Sequence, residues 1–246
     1  MNNAPLRLAM WSGPRNVSSA LMRSFDSRAD CVVVDEPFYA HYLKVTGLEH
    51  PARQAVLESQ PTEWRTVTKQ LTHAPLPGGE SVHYQKHMAH HLLDGMAGAW
   101  MDELVHAFLI REPAAMLASF IKVWPEPTLA DTGLPQQVSL FEHLCETQGF
   151  APPVVDSADL LQDPEGILRS LCTAVGIAFD PAMLSWEPGR RATDGVWAPH
   201  WYSQLEQSTG FAPQSTTRRE LPAEHQGLLA ESEALYARLF DQRLRA

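Results

Sequence analysis

The chain has 246 residues, 44% of them hydrophobic, which is long and apolar enough to bury a sizeable core. It carries 19 basic and 29 acidic side chains, a net charge of -10, and this balance excludes a general binder of nucleic acid or acidic membranes. Any phosphate site must therefore be a local basic cluster in an acidic protein. We interpret residues 1–246 as a single domain.

Cysteine usage and apolar runs predict where the protein works. The cysteines are odd in number and have no paired spacing, which is typical of reduced thiols in a cytosolic protein: Cys31, Cys145 and Cys172. No apolar run is long enough to span a bilayer, and the N-terminus lacks the apolar stretch of a signal peptide. We therefore predict a soluble, cytoplasmic protein.

Short apolar runs alternate with helix-like stretches along the chain. The predicted strands are residues 6–11, 31–35, 82–87, 107–111 and 154–156. The predicted helices are residues 18–25, 113–123 and 164–175, with a last helix opening at Leu221-Pro222. This alternation predicts an α/β fold: three α/β/α layers, with helices on both faces of a mainly parallel central sheet.

Two stretches interrupt the rhythm of strands and helices. Residues 41–79 contain several prolines and two predicted short helices, and residues 124–153 are rich in proline and glycine. Insertions beyond strand ends often shape a substrate pocket in such folds, so we predict that both are pocket or lid insertions. The alternative is that they decorate the fold without a role.

The turn after the first predicted strand has the composition of an anion cradle. It reads Pro14-Arg15-Asn16-Val17-Ser18-Ser19 and leads directly into a helix. A helix N-terminus offers unpaired N–H groups and partial positive charge. Arg15 adds a planar donor fork, and Ser18 and Ser19 add hydroxyl donors. The alternative is an ordinary strand–helix turn with a solvated arginine.

A second basic position lies at the end of the fourth predicted strand. Arg111 ends the strand, a helix begins at Pro113, and Ser119 follows the arginine by eight residues. Eight residues are a little over two helical turns, so Arg111 and Ser119 can face one anion across the junction. The alternative is a surface arginine paired with Glu112.

A third basic position lies late in the chain. Arg190 and Arg191 are adjacent in a segment flanked by glycine and proline, with Gly195 and Trp197 shortly after them. Two neighbouring arginines in such a segment favour a binding role over a structural one. The alternative is a solvated basic turn.

In this order, the three segments resemble the sulfotransferases that use 3′-phosphoadenosine-5′-phosphosulfate, in a divergent bacterial-type branch with a P-loop-type fold. The resemblance implies that the loop binds the 5′-phosphosulfate through Arg15, Asn16, Val17, Ser18 and Ser19. It implies that Arg15 is also catalytic, because it holds the leaving oxygen. It implies that Arg111 and Ser119 bind the 3′-phosphate and that Arg190 and Arg191 close over it. Val17 stands where the family has glycine, so we expect the backbone there to avoid positive φ.

The second and third predicted strands end in residues suited to the transfer step. Glu36 resembles a catalytic glutamate of the family and is predicted to take the proton from the acceptor. Lys86 resembles the lysine that lies near the transferred sulfuryl group, where its charge stabilises the transition state. Alternatively, Glu36 is structural and caps a helix or pairs with Arg15 or Lys86. If substitution of Glu36 leaves turnover near normal, His87 or His90 becomes the candidate base.

The predicted activity is sulfuryl transfer from 3′-phosphoadenosine-5′-phosphosulfate, as co-substrate, to a hydroxyl or amine of a small molecule, with no metal. A catalytically inactive nucleotide-binding module is one alternative. A P-loop small-molecule kinase is another, although the Gly-x-x-x-x-Gly-Lys-Ser/Thr pattern is absent. We leave open whether the chain forms a homodimer. Five aromatic residues either line the acceptor pocket or belong to the core: Tyr39, Tyr42, Trp64, Trp100 and Trp124.

Overall fold

The computed structural model describes residues 4–213 and 220–246, and its centre is a parallel sheet of five strands. The strands are β1 (Leu6–Ser12), β2 (Cys31–Asp35), β3 (Val82–Met88), β4 (Val105–Ile110) and β5 (Val154–Asp156). Their order across the sheet is β2-β3-β1-β4-β5, and every neighbouring pair is parallel. The predicted α/β fold with a mainly parallel sheet is confirmed, and each predicted strand lies within two residues of an observed one.

Side chains that alternate along the central strands divide the core into two halves. In β1, Leu8 and Met10 point to one face, and Ala9 and Trp11 to the other; all four are fully buried. The first face packs against α1 (Ser18–Asp26), α7 (Ser157–Gln162) and α8 (Pro164–Val175). The second packs against α4 (Trp64–His73), α6 (Leu134–Gln148) and α10 (Gln226–Phe240). Helices therefore cover both faces of the sheet, as predicted.

The remaining helices are α2 (Tyr39–Thr46), α3 (Arg53–Ser59), α5 (Pro113–Phe120) and α9 (Ala198–Trp201). Local capping explains where two of the helices begin. The carboxylate of Glu112 accepts hydrogen bonds from the N–H groups of Ala114 and Ala115, at 3.2 and 2.8 Å, and thereby caps α5. Asp163 caps α8 in the same way, and Gly176, at φ 82°, ends it.

The two predicted insertions contain more helix than the sequence indicated. Residues 41–79 include most of α2 together with α3 and α4, so the prediction of two short helices was wrong. Within residues 124–153, α6 runs for 15 residues and belongs to the second half of the core. Proline and glycine at both ends of α6 hid its apolar face, which Val138, Phe141 and Leu144 bury. The last helix begins at Gln226, after the short 3-10 turn Ala223–His225.

Three histidines are buried in the sheet and are neutral. Nδ1 of His106 accepts a hydrogen bond from Nε1 of Trp11 at 3.0 Å, so its proton lies on Nε2, which faces the Met101 carbonyl. His87 stacks on the Trp11 ring with centroids 4.3 Å apart. Burial, aided by the charge of Arg7, lowers the pKa of His83 to about 4. Burial also holds the pKa values of His87 and His106 below the ordinary value.

Because these histidines are buried and neutral, we expect the stability of the fold to fall in acid. In the unfolded chain each imidazole binds a proton near pH 6.5, whereas the folded chain resists protonation. The free energy of unfolding is therefore fully present above about pH 6.5 and falls as the pH drops toward 4. Urea unfolding between pH 7 and pH 5 should show His83 alone contributing about 1 to 2 kcal/mol to this fall.

The matched comparison for this prediction is His83→Gln against His143→Gln, because His143 is exposed. The first substitution should flatten the dependence of unfolding free energy on pH, and the second should leave it as in the wild type. An unchanged slope in His83→Gln would show that His83 is protonated alike in both states.

Candidate active site

A cavity of about 1160 Å³ lies where the carboxyl ends of the strands meet. The sequence-predicted site residues that line it are Arg15, Asn16, Val17, Ser18, Ser19, Glu36, Lys86, Arg111 and Ser119. They come from the segments that follow or end β1, β2, β3 and β4, so the parallel sheet brings together positions up to 104 residues apart. Arg190 and Arg191 do not line this cavity.

The loop between β1 and α1 is held in a strained backbone conformation. Arg15 and Val17 have φ values of 62° and 60°, in the left-handed region that a β-branched residue rarely adopts. The expectation that Val17 avoids positive φ was therefore wrong: it keeps the conformation that a glycine would adopt there. Gly13 also has no substitute, because a Cβ at this position would lie 2.2 Å from the Thr132 carbonyl oxygen.

The first turn of α1 presents backbone donors to the cavity. Val17 is the N-cap residue and makes no side-chain capping bond, and the helical hydrogen bonds begin with the N–H of Ala20 and Leu21. Among the described residues, the N–H groups of Ser18 and Ser19 have no acceptor. Both residues line the cavity, so their N–H groups and hydroxyls fit a bound anion such as a phosphosulfate.

Two arginines and a serine join the loop to the strand–helix junction after β4. Nε of Arg15 donates a hydrogen bond to Oγ of Ser119 at 3.0 Å, and Arg111 donates to the carbonyl oxygen of Arg15. Burial lowers the pKa of Arg15, but a guanidinium stays charged at neutral pH. Nδ2 of Asn16 donates to the Leu109 carbonyl at 3.2 Å and fixes the loop against β4. The structure thus places two positive charges beside the free N–H groups of α1.

Lys86 lies at the centre of a buried polar network. Its side chain is 1% exposed, and Nζ contacts Oδ1 of Asp35 at 2.8 Å, Oε1 of Glu36 at 2.8 Å and the Tyr202 hydroxyl at 2.6 Å. The Tyr202 hydroxyl donates to Oδ2 of Asp35 at 2.7 Å, and the N–H of Gly195 donates to the same oxygen at 3.2 Å. Strand register explains the central pair, since Asp35 on β2 lies opposite Lys86 on β3.

The network shifts the pKa values of Glu36 and Lys86. Burial alone would lower the pKa of Lys86, but the carboxylates of Asp35 and Glu36 outweigh it and hold that pKa well above the ordinary value. Burial raises the pKa of Glu36, assisted by Asp35 and opposed by Lys86. An ammonium has three N–H donors, and all three of those on Lys86 are engaged within the network.

Of the two histidines considered as alternative bases, one lines the cavity. His90 lies in the lining, with His91 beside it, whereas His87 is 1% exposed and packs in the core against Trp11. Trp64 and Trp100 also pack in the second half of the core. The aromatic residues that do line the cavity are Tyr39, Tyr42, Trp124, Phe120, Trp201, Tyr202 and Phe211.

Arg190 and Arg191 lie outside the cavity, each near a carboxylate of another segment. Arg191 pairs with Asp26, at the end of α1, and lines a separate hollow. Arg190 is half exposed, and its Nε lies 3.8 Å from a carboxylate oxygen of Glu206. The structure therefore does not bring either guanidinium to Arg111, although the sequence predicted a shared phosphate.

Several cavity and network residues were not predicted from the sequence. The sequence does contain a signal for Asp35, which is a charged residue at the end of a strand of β-branched residues. The neighbouring Glu36 was predicted as the functional carboxylate instead. Tyr202 had none, because 116 residues separate it from Lys86. His50 and Asp131 line the cavity and lie within the two predicted insertions.

Residues 4–213 and 220–246 contain neither a candidate membrane-spanning helix nor a candidate metal cluster. No helix there combines the length and apolar composition needed to cross a membrane. No group of three or more histidine, cysteine, aspartate or glutamate side chains is arranged to hold a metal ion in that part of the chain.

Comparison with known proteins identifies relatives of the chain. Two curated proteins of Arabidopsis thaliana, named branched-chain-amino-acid aminotransferase-like protein 1 and 2, are 40% and 38% identical to the chain over 226 residues. Each alignment covers 92% of this chain but 40% of the relative, so the chain spans less than half the length of these relatives.

Solved structures with the same fold include two bacterial ones of low sequence identity. The sulfotransferase domain of the Synechococcus PCC 7002 olefin synthase has a TM-score of 0.62 at 18% identity and covers 96% of this chain and 95% of that one. A sulfotransferase from Alicyclobacillus acidocaldarius has a TM-score of 0.52 at 12% identity, covering 98% of both chains. The family model described as a sulfotransferase domain matches residues 6–239. The chain therefore belongs to the sulfotransferase domain family.

Proposed function

We propose that the protein transfers a sulfuryl group from 3′-phosphoadenosine-5′-phosphosulfate to a hydroxyl or amine of a small molecule. The observation that carries this proposal is the meeting of an anion cradle and a buried carboxylate in one cavity. Arg15 and the free N–H groups of α1 supply the cradle, and Glu36 supplies the carboxylate. Sulfuryl transfer requires a site that binds an anionic donor and a group that takes the proton of the acceptor.

In this proposal the donor lies along the basic side of the cavity. The loop N–H groups, the hydroxyls of Ser18 and Ser19 and the Arg15 guanidinium bind the 5′-phosphosulfate. Arg111 and Ser119 bind the 3′-phosphate and exclude nucleotides that lack it. The contacts of Arg190 and Arg191 with the 3′-phosphate stay predictions. In the structure these side chains lie near Glu206 and Asp26 instead.

Glu36 then acts as the general base. Its carboxylate takes the proton of the acceptor while the acceptor oxygen or nitrogen forms a bond to sulfur. The bond from sulfur to the bridging phosphate oxygen breaks, and its electron pair stays on the phosphate, where Arg15 and the loop donors stabilise the charge. A pKa raised by burial makes Glu36 a better base than an exposed glutamate.

Lys86 supports this step through its charge. Because its three donors bind Asp35, Glu36 and Tyr202, we assign it to orienting Glu36 and to offsetting negative charge near the sulfuryl oxygens. The buried network keeps Glu36 in one position without a contact from Lys86 to the donor.

The Glu36→Gln substitution tests the assignment of the base. The amide keeps the shape of the side chain but cannot take a proton, so we expect transfer to fall about 100-fold or more. Transfer of radiolabelled sulfate to a mixed set of hydroxyl and amine acceptors measures the rate. Calorimetry with adenosine 3′,5′-bisphosphate should find unchanged affinity, because Glu36 does not bind the donor.

Glu103→Gln is the matched control, since Glu103 is exposed and lies outside the cavity. Near-normal transfer by Glu36→Gln would contradict the assignment and favour His90 as the base. Nucleotide binding without transfer by the wild type, across all acceptor classes, would instead favour the inactive binding module.

Arginine substitutions separate the two phosphate predictions. Arg15→Ala should weaken adenosine 3′,5′-bisphosphate binding by about 10- to 100-fold, because a charge-assisted hydrogen bond to phosphate is lost. Unchanged affinity in Arg191→Ala would show that the ion pair with Asp26 is the only role of Arg191, whereas a tenfold fall would support its predicted contact with the 3′-phosphate. The reverse pattern, with Arg191→Ala weak and Arg15→Ala normal, would contradict the donor placement proposed here.

A further inference from the structure

One end of the cavity is a wall of aromatic and imidazole rings, which we call the aromatic end. It consists of Tyr39, Tyr42, His50, His90 and Trp124. The rings contact one another in series: Tyr42 lies edge-on to His90 at 5.4 Å between centroids, and His50 lies edge-on to Trp124 at 5.4 Å. The Tyr39 hydroxyl and Nδ1 of His50 share a hydrogen bond of 2.9 Å.

The imidazoles of the aromatic end carry no positive charge at neutral pH. Burial lowers the pKa of His90 to about 4, and burial also lowers the pKa of His50. Within residues 4–213 and 220–246, no lysine or arginine stacks over Tyr39, Tyr42 or Trp124. The His91 ring stacks on one face of Tyr39 and one face of Tyr42, with centroids 4.7 and 4.5 Å apart, and no cation of the described chain occupies the other faces of these rings.

Asp131 adds a full negative charge to this end. Its Oδ2 accepts hydrogen bonds from the N–H and the hydroxyl of Thr128, both at 2.8 Å, and the residue lines the cavity. In the part of the chain that the structure describes, Asp131 forms no ion pair. Burial and the charge of Asp131 together raise the pKa of Tyr42 to about 12.

The two ends of the cavity thus differ in the charge of these side chains. Arg15 and Arg111 give positive charge to the opposite end, which we call the donor end, whereas the aromatic end has neutral rings and the carboxylate of Asp131. A carboxylate without an ion-pair partner attracts a cation, and aromatic faces attract organic cations strongly. We propose that the aromatic end binds an organic cation, so that the acceptor carries a protonated or quaternary ammonium group in addition to the hydroxyl that is sulfated.

The position of Glu36 fits this acceptor. The N–H of Tyr39 donates to the Glu36 carbonyl at 3.0 Å, so the aromatic end begins one helical turn from the proposed base. An ammonium group held at Asp131 directs the rest of the acceptor toward Glu36 and the donor end. The acceptor role rests on the proposed function, whereas the cation site itself does not.

Choline and its neutral isostere 3,3-dimethylbutan-1-ol test the site, because they share a shape and differ in charge. Calorimetry on the full chain, with and without adenosine 3′,5′-bisphosphate, should find that choline binds at least tenfold more tightly than the isostere. Asp131→Asn should lower choline affinity at least fivefold and leave that of the isostere unchanged. Asp102→Asn, an exposed aspartate outside the cavity, should change neither.

Equal affinity of the wild type for choline and the isostere would overturn the inference, whatever the variants do. Unchanged choline affinity in Asp131→Asn would overturn it as well. The two proposals fail separately: choline binding that depends on Asp131, without any binding of adenosine 3′,5′-bisphosphate, supports the cation site and contradicts the sulfotransferase assignment. If the protein binds the nucleotide and transfers sulfate to neutral acceptors but does not bind choline, only the cation site is contradicted.

Discussion

The buried ammonium of Lys86 is the interaction on which the rest of the site depends. It pairs with both Asp35 and Glu36 at the end of β2, and through Tyr202 it connects them to the end of α9. Removing one partner from a buried ion pair leaves a charge without compensation and costs about 3 to 5 kcal/mol. The network is therefore both a structural tie between distant parts of the chain and the reason that a carboxylate can stand buried beside the cavity.

Strain at the loops is a second constraint that follows from the site. Arg15, Val17 and Glu36 all have positive φ, and each lines the cavity. Left-handed conformations of residues other than glycine cost energy and persist only where the surroundings enforce them. Here the contact of Gly13 with the Thr132 carbonyl, the Arg111 hydrogen bond to the Arg15 carbonyl and the Lys86 network supply that enforcement. These backbone conformations direct N–H groups and side chains into the cavity.

Much of the fold and part of the site could be predicted because their signals are local. The β-branched run of β2, Pro113 at the start of α5 and Gly176 after α8 each act within a few residues. The direction of Arg191 could not be predicted, since its partner Asp26 is 165 residues away. The same holds for Tyr202. Val17 was misjudged because a general preference of β-branched residues was set against the geometry of the loop, and the geometry prevailed.

In the proposed function, an acidic protein binds a highly anionic donor because Arg15 and Arg111 concentrate positive charge at one end of the cavity. The most direct test of this account is the selectivity of the wild-type protein for the 3′-phosphate. Calorimetric titration should find that adenosine 3′,5′-bisphosphate binds about 100-fold more tightly than adenosine 5′-phosphate, as expected for loss of charge-assisted contacts to one phosphate. Equal affinity for the two nucleotides would contradict the account.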